Sequence, residues 1–562
     1  MSDKSAHYQS LVPDGDRTNA DVREANFRAG EQLADIIRTT LGPKGLDKLL
    51  VTDGKLIVTN DGASILDRLA IEHPAAKLVV EVAQQQETRA GDGTTSAVLL
   101  AGALLSEAQS LREQGVHPTK ITEGYHLAAT HVTETLPDLT VPVDTDDDGT
   151  LRDIARTVVT GKWDSSGTDF LAKRAVEAIR AIEGDNRVEF EKITRKTMPG
   201  GSFYDSEIID GLVIDMEESS TDIVSPDEQL PSSYTDATVA LVDEELSTDE
   251  PTGIGAVNPD DYDDVEAFRA YEDEVYEQYA EAITEVGADI VFCQQSIDDP
   301  VRYQLADEGI LAVERTRRDE LNKLARATGA QPVTVNNLAP ATVGYASTVE
   351  RRSVGTTDVT VVSGFEEFDQ VSLLFRGGTK RIAEETQRKL DDCFYVLKLA
   401  IEDGMLLPGG GATEVALARE LRSTAPTHPG KEQLAIEAVA DALETIPRTL
   451  AKSAGMDPVN ALIDLRNAHS DGSVTAGLDL EQLAVTDMAT KGVLEPLHVK
   501  RAALTSSVDA ASVVVRVDDA VSVSDDNENG HDHEDHDHGP GDLVPSTDGY
   551  PWALGHSMGH DH

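Results

Sequence analysis

The chain begins and ends in long helical patterns, while from about 200 to 365 short strands alternate with helices. A helical beginning and a helical end around an α/β middle point to one discontinuous domain with others inserted into it. At 562 residues the chain is too long for a single core, so two to four domains are expected.

The first part is rich in local signals. A helix over 20–41 stops at Gly42-Pro43. Two β-type runs, Lys48–Thr52 and Lys55–Thr59, flank Asp53-Gly54 and predict a hairpin. The second run ends at Asn60-Asp61-Gly62, and helices are expected from Ala63, over Ala75–Ala90 and over Ser96–Ala108. Pro137–Gly149, rich in Asp, Pro and Thr, reads as a domain boundary. Strands are predicted at Thr238–Val242, Asp289–Cys293, Ile310–Glu314, Pro332–Val335 and Gln370–Phe375. The acidic, Pro/Gly-interrupted stretch 245–262 reads as exposed and mobile. It leads into a helix whose stripe is Val265, Phe268, Tyr271, Val275, Tyr279, Ile283 and Val286, a packing face by its spacing. After the Gly377-Gly378 turn, helices are predicted over 380–403, 412–424 and 431–453. From Ser522 onward Asp, His and Gly dominate, a low-complexity tail expected to be disordered.

Charge narrows the function classes. Lys and Arg total 48 against 103 Asp and Glu, a net charge of −55, and only 18 of the cations are Lys. Such self-repulsion is screened by concentrated salt, so a salt-accumulating cytosol is the simplest setting. No basic block is available for nucleic acid. The start, MSDKSAHYQS, is polar, and the longest apolar run, Ala97–Leu105, is far short of a bilayer span. A soluble, cytoplasmic chain with no membrane partner is expected. Cys293 and Cys393 sit in apolar segments without metal spacing and read as buried, inert thiols.

Gly91-Asp92-Gly93-Thr94-Thr95 runs directly into a helix. Glycines let the backbone approach a ligand closely, and helix N-termini favour phosphate oxygens. Asp92 is a hard oxygen ligand suited to Mg²⁺, although a plain helix cap has the same look. Thr40-Leu41-Gly42-Pro43-Lys44-Gly45, Asn60-Asp61-Gly62 and Gly409-Gly410-Gly411 add further turns and one carboxylate. Together they fit a nucleotide site built from backbone amides and carboxylates. No GxxxxGK[ST] string occurs, which excludes a P-loop enzyme.

RTTLGPKGLDKLL (38–50), VTNDGASIL (58–66), IEHPAAKLVVEVA (71–83) and GDGTTSAVLLAG (91–102) resemble group II chaperonins, the thermosome family. So do GVHPT (115–119), LLFRGGT (373–379), LPGGGATE (407–414), KEQLAIEA (431–438) and GVLEPLHVK (492–500), in the family's order over roughly 20–523. The resemblance implies a multidomain α and α/β chaperonin fold. Its parts would be a mainly helical equatorial domain (1–143 and 402–523), an intermediate hinge domain (144–213 and 364–401) and an α/β apical domain (214–363). A helical lid protrusion is implied near 245–286, and the tail 524–562 lies outside the domains. The implied function is ATP-dependent binding, enclosure and folding of unfolded polypeptide clients. ATP and Mg²⁺ are the implied cofactors, and the implied partners are the same or paralogous subunits in a double ring.

Residue by residue, the resemblance places Thr40, Leu41, Gly42 and Pro43 with Gly93, Thr94, Thr95 and Ser96 around the phosphates, and Asp92 on Mg²⁺. Asp61 and Asp392 would position and activate the hydrolytic water. Gly410 would approach the sugar or base, Glu495 would close that end, and Lys162 would sense the γ-phosphate. Periodicity alone does not select Asp392. The apolar stripe of 380–403 is Ile382, Leu390, Phe394, Leu397 and Ile401, which puts Asp392 roughly opposite, as a solvated carboxylate would be, with Asp391 its competitor. Two features depart from the family. SPDEQLPSSYTDA (225–237) replaces a more basic loop, and HDHEDHDH (531–538) could be a solvated tail or a binder of Zn²⁺, Ni²⁺ or Cu²⁺. A client-holding subunit with poor ATPase, or a monomeric phosphotransferase, are the alternatives.

Overall fold

The computed structural model describes residues 19–52, 55–142, 144–161, 163–184, 187–216, 230–248, 262–354, 357–365 and 370–517. The acidic stretch at 249–261, part of the 225–237 loop, Asp53-Gly54, Lys162 and the tail lie outside them.

α1 (Asn19–Arg38) ends just ahead of Gly42-Pro43, and β1 (Lys48–Thr52) pairs antiparallel with β2 (Lys55–Thr59) from Lys48↔Thr59 to Thr52↔Lys55. α2 (Gly62–Asp67), α3 (Pro74–Ala90), α4 (Thr94–Glu113) and α5 (Pro118–Thr135) follow. Next come α6 (Asp148–Val159), α7 (Ser165–Ile182), the short ladder β3 (Glu183–Gly184) with β4 (Arg187–Val188), β5 (Ile193–Pro199) and β6 (Glu207–Asp210). The middle of the chain holds β7 (Leu212–Asp215), β8 (Ser233–Val242), α8 (Tyr262–Glu285), β9 (Ile290–Cys293), α9 (Asp299–Asp307) and β10 (Leu311–Val313). α10 (Arg318–Thr328), β11 (Gly344–Val354), β12 (Thr357–Ser363), β13 (Val371–Gly377) and α11 (Lys380–Asp403) complete it. The last part is β14 (Leu406–Pro408), α12 (Ala412–Thr424), α13 (Glu432–Leu443), α14 (Thr445–Ser453) and α15 (Pro458–Ser470). It closes with β15 (Ala476–Asp479), β16 (Ala484–Asp487), α16 (Met488–Lys491), β17 (Leu494–Pro496) and α17 (Leu497–Arg516).

The two helical ends share one core. α4 buries Ala97, Val98, Leu99, Leu100, Ala101, Leu104 and Leu105, too wide an apolar surface for one neighbour to cover. α1 and α3 pack on it from the N-terminal part, α13 and α17 from the far end of the chain. A single buried cluster accordingly runs from Phe27, Ile37 and Tyr125 to Leu421, Val439, Leu465 and Val515. A second cluster joins α6 and α7 to β13 and α11 through Leu151, Ile179, Phe375, Leu390 and Phe394. It backs the sheet β5-β13-β6, in which β13 runs parallel to β5 and antiparallel to β6.

The six-stranded sheet has the order β10-β9-β8-β11-β12-β7 and is covered on both faces. Along β8, Val239 and Leu241 enter one cluster while Ala240 and Val242 enter the other. That is why VALV (239–242) reads as an unbroken apolar run. Cys293 and Cys393 are buried and free, and burial raises both thiols, Cys293 to about 12. Among the described residues no helix is long and apolar enough to cross a membrane.

Three expectations are corrected. Pro332–Val335 is not a strand: β11 flanks β8 only as far as Gly344↔Val239, and beyond it Val333 alone bridges Val242. Pro332 lacks an N–H, and a 3₁₀ turn begins at Val335. The helix expected over 431–453 is two, α13 and α14, separated at Glu444. Pro447 cannot donate to the carbonyl four residues earlier, so the break falls there. On α8 the buried positions are Tyr276, Ala280 and Ile283, whereas Tyr271 is exposed. Val265 and Phe268 lie among the side chains left undescribed.

Candidate active site

Four loops carry the expected site residues, and two of them meet at the start of α4. Gly91 and Gly93 hold φ of +63° and +80°, a region that L side chains avoid. No side chain caps α4, and the first N–H groups of a helix have no intrahelical partner, so Thr94, Thr95 and Ser96 present donors there. The Gly93 N–H donates to Asp92 Oδ1 at 2.7 Å, and Gln86 Nε2 donates to the carbonyls of Asp92 (2.7 Å) and Val499 (3.1 Å). The second loop is the N-cap of α2, where Ser64 N–H donates to Asp61 Oδ2 at 2.8 Å. A Cβ on Gly62 would stand 2.8 Å from Thr95 Oγ1 and 3.1 Å from Thr94 Oγ1, so the glycine lets this cap close on α4. The third is Thr40-Leu41-Gly42-Pro43, with Thr40 and Leu41 buried and Gly42 at φ +76°. The fourth follows α6: a Cβ on Gly161 would lie 3.0 Å from the Pro43 carbonyl. This loop therefore rests on the Gly42-Pro43 turn, and Lys162 comes directly after it, outside the described residues.

α11 passes over the same place. A Cβ on Gly91 would collide with the Tyr395 ring, and Tyr395 donates to the Thr88 carbonyl at 3.2 Å. Asp392 is only 8% exposed, against the solvated position that the apolar stripe alone would give it. The helix is covered on two sides, one through Leu390, Phe394 and Leu397 and one through Tyr395 at the end of α3, while Ile382 of the expected stripe is 46% exposed. Lys389 Nζ stands 2.8 Å from Asp392 Oδ2. Arg388 Nη1 lies 3.0 Å from Asp61 Oδ1 and 3.8 Å from Asp392 Oδ2. Asp391 is turned elsewhere and pairs with Arg195 of β5.

Four carboxylates and two cations thus share this pocket. Burial works to raise the Asp61 pKa, but Arg388, Lys389 and Ser64 outweigh it and hold the carboxyl below its usual range. Burial, helped by Asp392 and Glu495 and opposed by Lys389, pushes Asp92 up to about 6. Glu87 on α3 is pushed up to about 7 by burial and then by Asp392, Asp61 and Asp92. Lys389 is raised because Asp392 and Asp61 overcome its burial. Glu87, Arg388 and Lys389 belong to no motif. Only the three- and four-residue spacing of the two cations from Asp392 marks them in the sequence.

Beyond Asp92 the pocket ends at Glu495. Gly410, at φ +63°, accepts from Leu478 N–H at 2.9 Å, and a Cβ on it would meet Met488 Sδ at 2.8 Å. β14 pairs with β17 so that Leu407 faces Glu495. Lys500 Nζ lies 2.7 Å from Glu495 Oε2 and also pairs with Glu414. The pocket offers backbone amides, two hydroxyls and several carboxylates around one helix start, a donor set for phosphate and for the water that attacks it.

Among the described residues no three His, Cys, Asp or Glu side chains are grouped to hold a metal ion by themselves. The set still fits Mg²⁺, which keeps one or two carboxylates and completes its octahedron with water and substrate phosphates. Asp92, pressed by neighbouring anions, is a carboxylate that such a cation would relieve.

Residues 33–525 match the TCP-1/cpn60 chaperonin family. A thermosome subunit alpha of Halobacterium salinarum is 42% identical over 518 residues, covering 92% of this chain and 91% of that one. A thermosome subunit of Methanopyrus kandleri is 41% identical over 520 residues, 91% of this chain and 94% of that one. A thermosome subunit alpha of Thermoplasma acidophilum is 42% identical over 503 residues, 88% and 91% of the respective chains.

Proposed function

The chain belongs to the TCP-1/cpn60 chaperonin family, and from that premise we propose how its parts divide the work of a group II chaperonin. The protein is an ATP-dependent chaperonin subunit, an ATPase that assists protein folding. The observation that supports the site reading is that the Asp61-Gly62 cap closes on Thr94 and Thr95 while Arg388 stands between Asp61 and Asp392.

Thr40–Pro43 and the amides of Gly93–Ser96 hold the phosphates, with the Thr94 and Thr95 hydroxyls beside them. Asp92 holds Mg²⁺, which supplies charge neutralisation on the phosphates when bound. Asp61 and Asp392 orient the attacking water and accept its proton. Gly410 and Glu495 bound the sugar and base end, and Lys162 contacts the γ-phosphate. The shared helical core (1–143 and 402–523) is the equatorial domain. Residues 144–213 and 364–401 are the intermediate hinge that brings Asp392 and Lys162 onto ATP. The segment 214–363 is the apical, client-binding domain, with the lid protrusion near 245–286. Phosphoryl transfer depends on positioning and charge, so a hinge that delivers Asp392 couples ATP to movement of the apical domain.

The β1–β2 hairpin supports assembly with further copies or paralogues. Leu49, Val51, Leu56 and Val58 share one face and are 62%, 70%, 51% and 61% exposed. An uncovered apolar two-stranded edge is a template for another chain.

The test is ATP turnover by the full chain in concentrated KCl with Mg²⁺. Asp61→Asn, Asp92→Asn and Asp392→Asn should each lower kcat about 10²–10⁴-fold. In Asp392→Asn the KM for ATP should stay close to wild type, since that carboxylate acts on the water. Wild-type turnover in all three variants would overturn the site assignment.

A further inference from the structure

The two carboxylate oxygens of Asp392 have different surroundings. Among the described residues its one hydrogen bond comes from Lys389 to Oδ2, at 2.8 Å, and Oδ1 is left without a partner. The Asp392 and Lys389 side chains are 10% and 15% exposed, so water contributes little to holding either in place. Arg388 does not substitute for Lys389. Its guanidinium is engaged by Asp61 at 3.0 Å and Glu385 at 2.8 Å, and it stands 3.8 Å from Asp392. Lys389 is therefore the cation committed to Asp392.

We propose that Lys389 is a positioning residue for ATP hydrolysis: its ammonium pins Oδ2 of Asp392, so that Oδ1 is presented to the attacking water. The proposal rests on the reading of Asp392 as the water-activating carboxylate. In the step it serves, the water gives a proton to Oδ1 and its oxygen bonds to the γ-phosphorus. The bond from that phosphorus to the bridging oxygen breaks, and its electron pair leaves on ADP. A carboxylate free to rotate would spend part of its time aimed away from the water, and a fixed one does not. The groups around the pair are Asp61 at the α2 cap, Glu87 of α3, Asp92 ahead of α4, Arg195 of β5, and Arg388, Asp391 and Cys393 of α11, with Glu495 beyond Asp92.

The assembled full chain, assayed with Mg²⁺ over a range of ATP concentrations, tests this. Lys389→Met should lower kcat about 10–100-fold with KM within about twofold. Lys389→Arg, which restores a cation able to donate to Oδ2, should recover most of the lost kcat. If Lys389→Met does not assemble, Lys389→Gln, one bond shorter but still a donor, reads the charge by the same outcomes. Asp392→Asn separates the two layers. Wild-type turnover in Asp392→Asn removes the base reading and this inference with it. An inactive Asp392→Asn beside a Lys389→Met variant with wild-type kcat overturns the role of Lys389 alone.

Discussion

Glu87 stands one helical turn before Gly91 and holds its proton up to about 7, against an ordinary 4.5. Between those values the folded chain binds more protons than the unfolded one, so its stability falls as pH rises through that window. In the nucleotide-free chain Glu87→Gln should abolish this component. Relative to wild type its thermal midpoint should gain about 1–3 °C more at about pH 8 than at about pH 5. Scanning calorimetry of the two chains at both values checks it, and equal differences would mean that Glu87 is ionised in the fold. Much of the site at this scale was legible, because Gly91–Thr95, Gly42-Pro43 and Asn60-Asp61-Gly62 have backbone demands that show in residue type. Asp392 was not legible from period alone. Its helix is buried on two faces, and a single apolar stripe reports only one of them. Glu87 and Lys389 look like surface residues until the fold closes over them.

The junction between α13 and α14 shows what an element boundary can hold. Glu444 is fully buried there, with Arg422 Nη1 at 2.7 Å and Arg466 and Arg448 beside it. Burial raises its pKa, yet hydrogen bonds and charge from Arg422 and Arg466 overcome that and hold it below the usual range. Its contribution is therefore present above the ordinary carboxylate range and is lost as pH falls through the depressed value. Glu444→Gln should cost about 3 kcal/mol, because the arginines lose a buried partner, and urea denaturation followed by far-UV dichroism measures it. The helix breaker Pro447 is plain in the sequence, but the charge cluster formed by α12, α13, α14 and α15 is a tertiary fact that no local pattern carries. The β1–β2 hairpin is the opposite case, fully predicted by two β-runs around Asp53-Gly54. Val51→Asp with Val58→Asp should leave the fold intact and shift native mass toward the 60.3 kDa monomer in light scattering. An unchanged mass would show that the hairpin face is not an assembly surface.

For the whole molecule, the net charge of −55 sets the working conditions. Lowering salt from about 1 M to about 0.1 M lengthens the screening distance from about 3 to about 10 Å. Assembly and thermal stability should both drop in that range, and a chain indifferent to it would contradict the salt-adapted reading of its composition. The alternation of helical ends and α/β middle was legible because periodicity survives without contacts, whereas the four hydrophobic clusters that sort those elements are read from packing. One of those clusters bears on how the protein is made. α4 finishes its core only when α13 and α17 arrive, and α17 ends at Arg516, some 380 residues after α5. At roughly 5–20 residues per second, the first helices leave the ribosome about 20–80 s before their partners. During that interval the apolar surface of α4 has no permanent cover, so a protein that shelters other chains from aggregation itself passes through a stage in which it needs shelter.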